Sequence, residues 1–203
     1  MKTVVLNYGS GNIKSLSNAL NYIEFDHVVS NDIQTIKESE KLIIPGAGSF
    51  ANAIKSILSL SLRDVLLDVS IHKQIPVLGI CLGMQIFAKS GSEGGWTDGL
   101  GFLNGDVTIM NPPNFNLKIP YYGWSSLTNI NYSSRLMRGI SDTDSFYFVH
   151  SYKYEGESVS ARYLYDGNVT ASVEKDNLFG VQFHPEKSRR SGLQVLKNFR
   201  DIQ

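Results

Sequence analysis

A chain of 203 residues has room for one domain with a full core, or at most two small ones. Its 42% hydrophobic and 19% charged content is ordinary for a globular protein, and 19 basic against 19 acidic side chains leave no one-signed field for nucleic acid or an anionic membrane. The one cysteine excludes an internal disulfide framework and a multi-cysteine metal centre, and a lone thiol fits a reducing cytoplasm.

In chain order, Thr3–Leu6 reads as a buried strand with no signal-peptide apolar region behind it. Asn7-Tyr8-Gly9-Ser10-Gly11-Asn12 is a turn. It fails as a dinucleotide fingerprint because the third glycine would have to stand at Lys14. Ile13 to Ile23 has a helical apolar period, His27–Ser30 is a short strand, and Ile33 to Ser39 is a short helix or loop. Lys41–Ile44 is a third strand, closed by Pro45-Gly46-Ala47-Gly48. Two helices follow, Ser49 to Leu60 and Leu62 to His72, then a strand from Pro76 to Ile80 and a helix from Leu82 to about Lys89. The longest apolar run, Ile75 to Ala88, is too short to span a bilayer and is interrupted by Gln85. This β-α-β order predicts an α/β fold, an open, mostly parallel sheet with helices on both faces.

The glycine-rich stretch Ser90 to Gly105 reads as a loop into an antiparallel extension. Strands are expected at Val107–Met110, Phe146–Val149, Ser160–Tyr165, Val169–Glu174 and Leu178–Phe183, with hairpin turns at Asp166-Gly167 and Asp176-Asn177. Asn111 to Pro120 and Asn129 to Ser141 read as irregular, and Gly192 to Ile202 as a closing amphipathic helix. No repeat or linker divides the chain, so residues 1–203 are read as one domain.

The chemistry gathers at two stretches. Gly79-Ile80-Cys81-Leu82-Gly83 is a Gly-x-Cys-x-Gly nucleophile elbow, a strand, a sharp turn and a helix. The bend projects the sulfur at the carboxyl end of a strand, and the helix that follows turns its free N–H groups and positive end on it, which favours thiolate. A buried structural cysteine is the alternative. The second stretch is Phe183-His184-Pro185-Glu186. Pro185 holds His184 extended, and residues two apart in extended chain share a side, so Glu186 is placed to orient the imidazole. A nucleophile needs such a base, and the base a fixing partner. Acyl transfer also needs an oxyanion hole. Its donors are available at the Leu82 N–H and in Pro45-Gly46-Ala47-Gly48, where glycines let a peptide plane turn its N–H in or out. His27, His72 and His150 have no comparable partner, and scattered histidines without a carboxylate cluster predict no metal and no cofactor.

Gly79-Ile80-Cys81-Leu82-Gly83-Met84-Gln85 together with Gln182-Phe183-His184-Pro185-Glu186-Lys187-Ser188 resembles the class I (triad) glutamine amidotransferases. With Asn7–Asn12, Pro45–Gly48, Gly123-Trp124 and Tyr147–Tyr152, the likeness extends over nearly the whole chain, to the glutaminase subunits of imidazole glycerol phosphate synthase in histidine biosynthesis. The resemblance implies a flavodoxin-like domain with Cys81, His184 and Glu186 as catalytic triad and Ala47 and Leu82 N–H groups as oxyanion hole. It implies that L-glutamine is held by Gly46, Gly48, Gln85, Ser151 and Tyr152. It also implies a heterodimer with a (βα)8-barrel cyclase subunit through Asn12, Trp124, Tyr147 and Lys187, to which ammonia passes to yield imidazole glycerol phosphate and AICAR. Tyr121, Ser125 and Asn7 depart from the usual family residues near the partner face, which keeps open a second partner, a sugar amidotransferase of surface-polysaccharide synthesis. The rivals of other classes are a peptidase-like cysteine hydrolase and a non-enzymatic binding subunit.

Overall fold

The computed structural model describes residues 2–111, 117–165 and 167–203. In chain order the elements are β1 (Thr3–Leu6), α1 (Ile13–Tyr22), β2 (Val28–Ser30), α2 (Ile33–Lys37), β3 (Lys41–Ile44), α3 (Phe50–Ser59) and α4 (Arg63–Leu67), which runs on into a π-helical turn at Asp68–His72. There follow β4 (Val77–Ile80), α5 (Leu82–Gln85), β5 (Ser90–Gly91), β6 (Thr97–Asp98), β7 (Gly105–Ile109), β8 (Tyr121–Ser126), β9 (Ser145–His150) and β10 (Tyr152–Gly156). The chain closes with β11 (Val159–Tyr165), β12 (Gly167–Lys175), β13 (Leu178–Val181), a 3-10 turn at Pro185–Lys187 and α6 (Arg189–Asp201).

The main sheet has seven strands in the order β11-β12-β13-β4-β3-β1-β2. From β13 to β2 all pairings are parallel, and β12 and β11 add antiparallel to the other side of β13. The α/β expectation holds, and so does the antiparallel extension. Both faces of β1, β3, β4 and β13 are covered, which is why they read as largely apolar runs, while the edge strand β2 stays mostly exposed. Val5, Ile43, Leu78 and Ile80 face one core, with Leu16 and Leu20 of α1 and Val195, Leu196 and Phe199 of α6. Val4, Leu6, Leu42, Ile44 and Val77 face the other, with Ile54 and Ile57 of α3 and Leu66 of α4. Each such side chain contributes roughly 1.5–3 kcal/mol by leaving water. Lys41, fully buried at the start of β3, donates to the carbonyls of Phe199, Arg200 and Ile202 and so ties the end of α6 to the sheet.

Four expectations need correction. The helix after Cys81 is one turn, Leu82–Gln85, not a run to Lys89. Beyond it Phe87 and Ala88 make i→i−3 bonds, and the Lys89 N–H bonds the carbonyl of Gly105, which turns the chain into β5. Second, the glycine-rich stretch is not all loop, because β5 and β6 pair within it and join β7 and β10 in a four-stranded sheet. Third, β8 and β10 were not expected. β8 pairs with β9 as a separate two-stranded ribbon whose Tyr121 and Phe148 pack on Tyr163 of β11. Fourth, Glu186 lies in a 3-10 turn rather than in extended chain. Residues 112–116 of the expected irregular stretch and Asp166 of the expected hairpin turn lie outside the described residues; Tyr165 and Gly167 are paired on either side of Asp166. Among the described residues no helix is long and apolar enough to cross a membrane.

Candidate active site

Cys81 caps α5 with φ 54° and ψ −111°, a backbone conformation that side-chain-bearing residues rarely adopt. The neighbouring glycines make it possible. A Cβ on Gly83 would stand 1.8 Å from the Ile44 carbonyl oxygen, and one on Gly79 would stand 2.6 Å from the Gly83 carbonyl. The elbow is therefore wedged between β3 and its own helix, and the Cys81 N–H is held by the Val181 carbonyl of β13 at 2.7 Å. The thiol is free and buried. With only one helical turn behind it, the dipole expected to favour thiolate is that of a single turn. The first N–H of that turn, on Leu82, has no intrahelical acceptor.

Parallel pairing of Val181 with Ile80 carries the segment after β13 to the same sheet edge. His184 is extended there, its N–H bound to the Tyr147 carbonyl at 2.9 Å. The Ser188 hydroxyl donates to the His184 carbonyl at 2.6 Å and accepts from the Tyr147 N–H at 3.0 Å, locking the turn to β9. His184 Nδ1 lies 2.9 Å from Glu186 Oε1. A carboxylate accepts, so Nδ1 carries the proton and Nε2 is the nitrogen left for Cys81. Burial opposes charge on His184, but hydrogen bonding to Cys81 and Glu186, with the negative charge of both, outweighs it and pushes the pKa from 6.5 up to about 10. The other Glu186 oxygen is buried without a hydrogen-bond partner, so among the described side chains His184 is the group that answers this carboxylate.

The stability this imidazolium lends is full below its ordinary value of 6.5 and is lost as pH rises through about 10. Glu186→Gln removes part of that effect. In urea denaturation the gap between wild type and variant is expected to be wide near pH 6.5 and to close toward pH 10. A gap that stays constant over the window would show that the pair makes no charge-dependent contribution.

Cys81 and His184 share a cavity of about 260 Å³ with Ala47, Gly48, Leu82, Gln85, Glu93, Ser151 and Tyr152. Most of the residues expected from the motifs thus meet in one place. Gly46 does not line this cavity but a void of about 10 Å³ behind it, beside Asn12, His184 and Glu186. The Ala47 N–H is not presented to the sulfur in this conformation. It donates to Ser10 Oγ at 3.0 Å, and the Ser10 hydroxyl in turn donates to the Ala47 carbonyl at 2.5 Å. Gln85 uses its amide hydrogens on the Tyr152 carbonyl at 2.8 Å and on Gln182 at 2.9 Å, so it meets a ligand only as an acceptor. Glu93, which the motifs did not single out, brings a carboxylate to the cavity from the β5–β6 loop and accepts the Phe50 N–H at 2.7 Å.

None of the four expected interface residues lines this cavity. Trp124 is 43% exposed, its ring 5.7 Å from that of Tyr147, over which Lys187 Nζ sits at 5.6 Å. Asn12 caps α1, its side chain accepting from the Ser15 N–H at 3.1 Å. His150 is buried against Tyr163 and lines the cavity.

Residues 4–202 match the family model of class I glutamine amidotransferases. The chain is 39% identical to the imidazole glycerol phosphate synthase subunit HisH of Leptospira borgpetersenii, with 98% of each chain covered. It is 41% identical to the protein of the same name from Aquifex aeolicus, covering 98% of this chain and 96% of that one. Among solved structures, a chain of PurLQS from Thermotoga maritima superposes with a TM-score of 0.71 at 19% identity, covering 98% of this chain and 96% of that one. At that identity the likeness speaks for the fold alone.

Proposed function

The chain belongs to the class I glutamine amidotransferases, among their HisH-type members, and from that premise we propose that residues 1–203 act as one glutaminase domain that supplies ammonia to a synthase subunit. The substrate is L-glutamine. Cys81 as thiolate attacks the side-chain amide carbon, and His184 as imidazolium gives its Nε2 proton to the departing nitrogen, so the C–N bond breaks to leave ammonia and a γ-glutamyl thioester. Water then adds, His184 takes its proton, and the C–S bond breaks to release glutamate and restore the sulfur. Glu186 keeps the imidazole in register throughout. The observation that carries this reading is the 2.9 Å His184–Glu186 bond opening onto the same cavity as the elbow sulfur.

Gly48, Ser151, Tyr152 and the Gln85 carbonyl oxygen hold the amino acid, and the free edge of the Glu93 carboxylate takes its α-ammonium. Gly46 acts from behind, as the pivot of the oxyanion loop. The Leu82 N–H is one oxyanion donor. The second, on Ala47, becomes available when the Gly46–Ala47 peptide turns away from Ser10. The Ser10 bond supports an idle resting state, which suits an enzyme whose ammonia is protonated and lost if released into water.

The partner is a (βα)8-barrel cyclase subunit in a cytoplasmic heterodimer, met through Asn12, Trp124, Tyr147 and Lys187, and the joint products are imidazole glycerol phosphate and AICAR. The test is glutamate release with and without that barrel subunit loaded with its nucleotide substrate, together with acid-quench mass spectrometry of Cys81. Strong stimulation and a glutamyl adduct on Cys81 are expected. Equal turnover with and without the barrel would sink the partner and the resting state, and an adduct formed from peptides but not glutamine would sink the substrate.

A further inference from the structure

Gln182 follows β13 directly and is fully buried, between Val181 and Phe183 in the core. A buried amide is costly unless its polar atoms are partnered, so a position otherwise suited to an apolar side chain calls for a reason. Its partners identify one. The Tyr152 carbonyl can only accept, so the Gln85 atom 2.8 Å from it is the amide nitrogen. That same nitrogen lies 2.9 Å from the Gln182 amide, so the Gln182 atom there is the oxygen. The Gln182 nitrogen is thereby turned the other way, onto Cys81 Sγ at 3.6 Å. The Tyr152 carbonyl is fixed independently by His150 Nδ1 at 2.8 Å, and His150 Nε2 meets the Tyr163 hydroxyl at 2.7 Å. Burial pushes the His150 pKa down to about 4, so the ring is neutral, with its proton on Nδ1 and a lone pair on Nε2 for the tyrosine. The chain of bonds runs from Tyr163 through His150, Tyr152 and Gln85 to Gln182, and it ends on sulfur.

We infer that Gln182 supports the nucleophile: its amide N–H stabilises the thiolate form of Cys81, and the buried chain behind it exists to hold that amide in the donating orientation. Among the sulfur's polar neighbours besides His184 and Gln182, the Val149 carbonyl at 3.9 Å is an acceptor and can favour only the thiol. The donor from Gln182 therefore replaces part of the help that a longer helix would have given. The titratable groups around the sulfur are His184 after β13 with Glu186 behind it, Tyr8 after β1, His150 on β9 and Glu93 in the β5–β6 loop. The inference rests on Cys81 as the nucleophile of the proposed glutaminase.

Alkylation separates the two. Cys81 is the only cysteine, so the pH profile of iodoacetamide labelling reports on it without any glutamine chemistry. In Gln182→Met, of similar shape but without the donor, the labelling profile is expected to move to higher pH by about one unit, and kcat for glutamine to fall about tenfold at nearly constant KM. Gln182→Glu, which keeps the acceptor for Gln85 and turns a second oxygen on the sulfur, moves the profile further in the same direction. It serves as the independent variant if methionine disturbs folding, which the thermal melt reports. An unmoved profile in a folded variant, or a raised KM at constant kcat, overturns the inference. Absence of glutamine hydrolysis in the wild type, with labelling still shifted in the variants, overturns the glutaminase reading and leaves the thiolate support standing.

Discussion

Cys81→Ser is expected to lower glutamine-dependent ammonia release, in the presence of the loaded partner, by at least about 10⁴-fold. Serine nearly matches cysteine in size, and the elbow geometry depends on Gly79 and Gly83 rather than on the sulfur. The fold and the cavity should therefore survive, and the loss should fall on kcat. The reason is chemical. On the proposed mechanism Cys81 reacts as an anion, beside an imidazole whose pKa is pushed up to about 10 and a buried amide donor at 3.6 Å. An alcohol does not ionise against such an imidazole. It needs a neutral base at Nε2, and the stabilisation that makes His184 a good acid for the leaving amine makes it a poor base for a hydroxyl. Steady-state ammonia release by a coupled assay, beside glutamine affinity by calorimetry, checks both halves. Residual activity within about tenfold of wild type would assign hydrolysis to another nucleophile, and loss of glutamine affinity would make Cys81 a binding residue.

What the sequence made legible was whatever is encoded locally. The unbroken apolar runs of β1, β3 and β4, the glycines flanking Cys81 and the proline after His184 each restrict the backbone within a few residues of themselves, so the elbow and the His–Glu pair were readable in order. Glu186 was paired correctly but for the wrong reason, since a 3-10 turn rather than an extended chain brings its oxygen to 2.9 Å from the imidazole. The missed features are made by distant partners. Ser10 meets Ala47 across 37 positions and Gln85 meets Gln182 across 97, and neither serine nor glutamine announces in its own neighbourhood that it will be held there. β8 escaped because Tyr-Tyr-Gly-Trp-Ser-Ser alternates only between half-buried and exposed, with no apolar face, and becomes a strand by pairing with β9. The short helix escaped because its apolar residues continue past Gln85. They are buried there by the β5–β7 chain packed over them, not by a further helical turn.

Gly83→Ala is the second large effect, and its sign is the informative part. Gly83 lies within α5, where propensity alone makes alanine better than glycine by about 0.8–1.0 kcal/mol. The added methyl would also stand 1.8 Å from the Ile44 carbonyl oxygen and 2.8 Å from its carbon, which no side-chain rotation relieves because the obstacle is backbone. Either β3 or the elbow has to move. The carbonyl in question ends β3 and leads into Pro45–Gly48, so the displacement reaches the loop that carries the Ala47 donor. A loss above about 4 kcal/mol is expected, in the range reserved for broken backbone packing, and with it any glutaminase activity in the fraction that folds. Gly123→Ala is the matched control. Its methyl meets nothing nearer than the Tyr121 hydroxyl at 3.4 Å, and its strand tolerates alanine, so a change of less than about 1 kcal/mol is expected in the same urea titration. If the Gly83 variant proved as stable as the Gly123 variant, the wedge between β3 and the elbow would not be what sets the backbone at Cys81. The positive φ of the nucleophile would then need another cause.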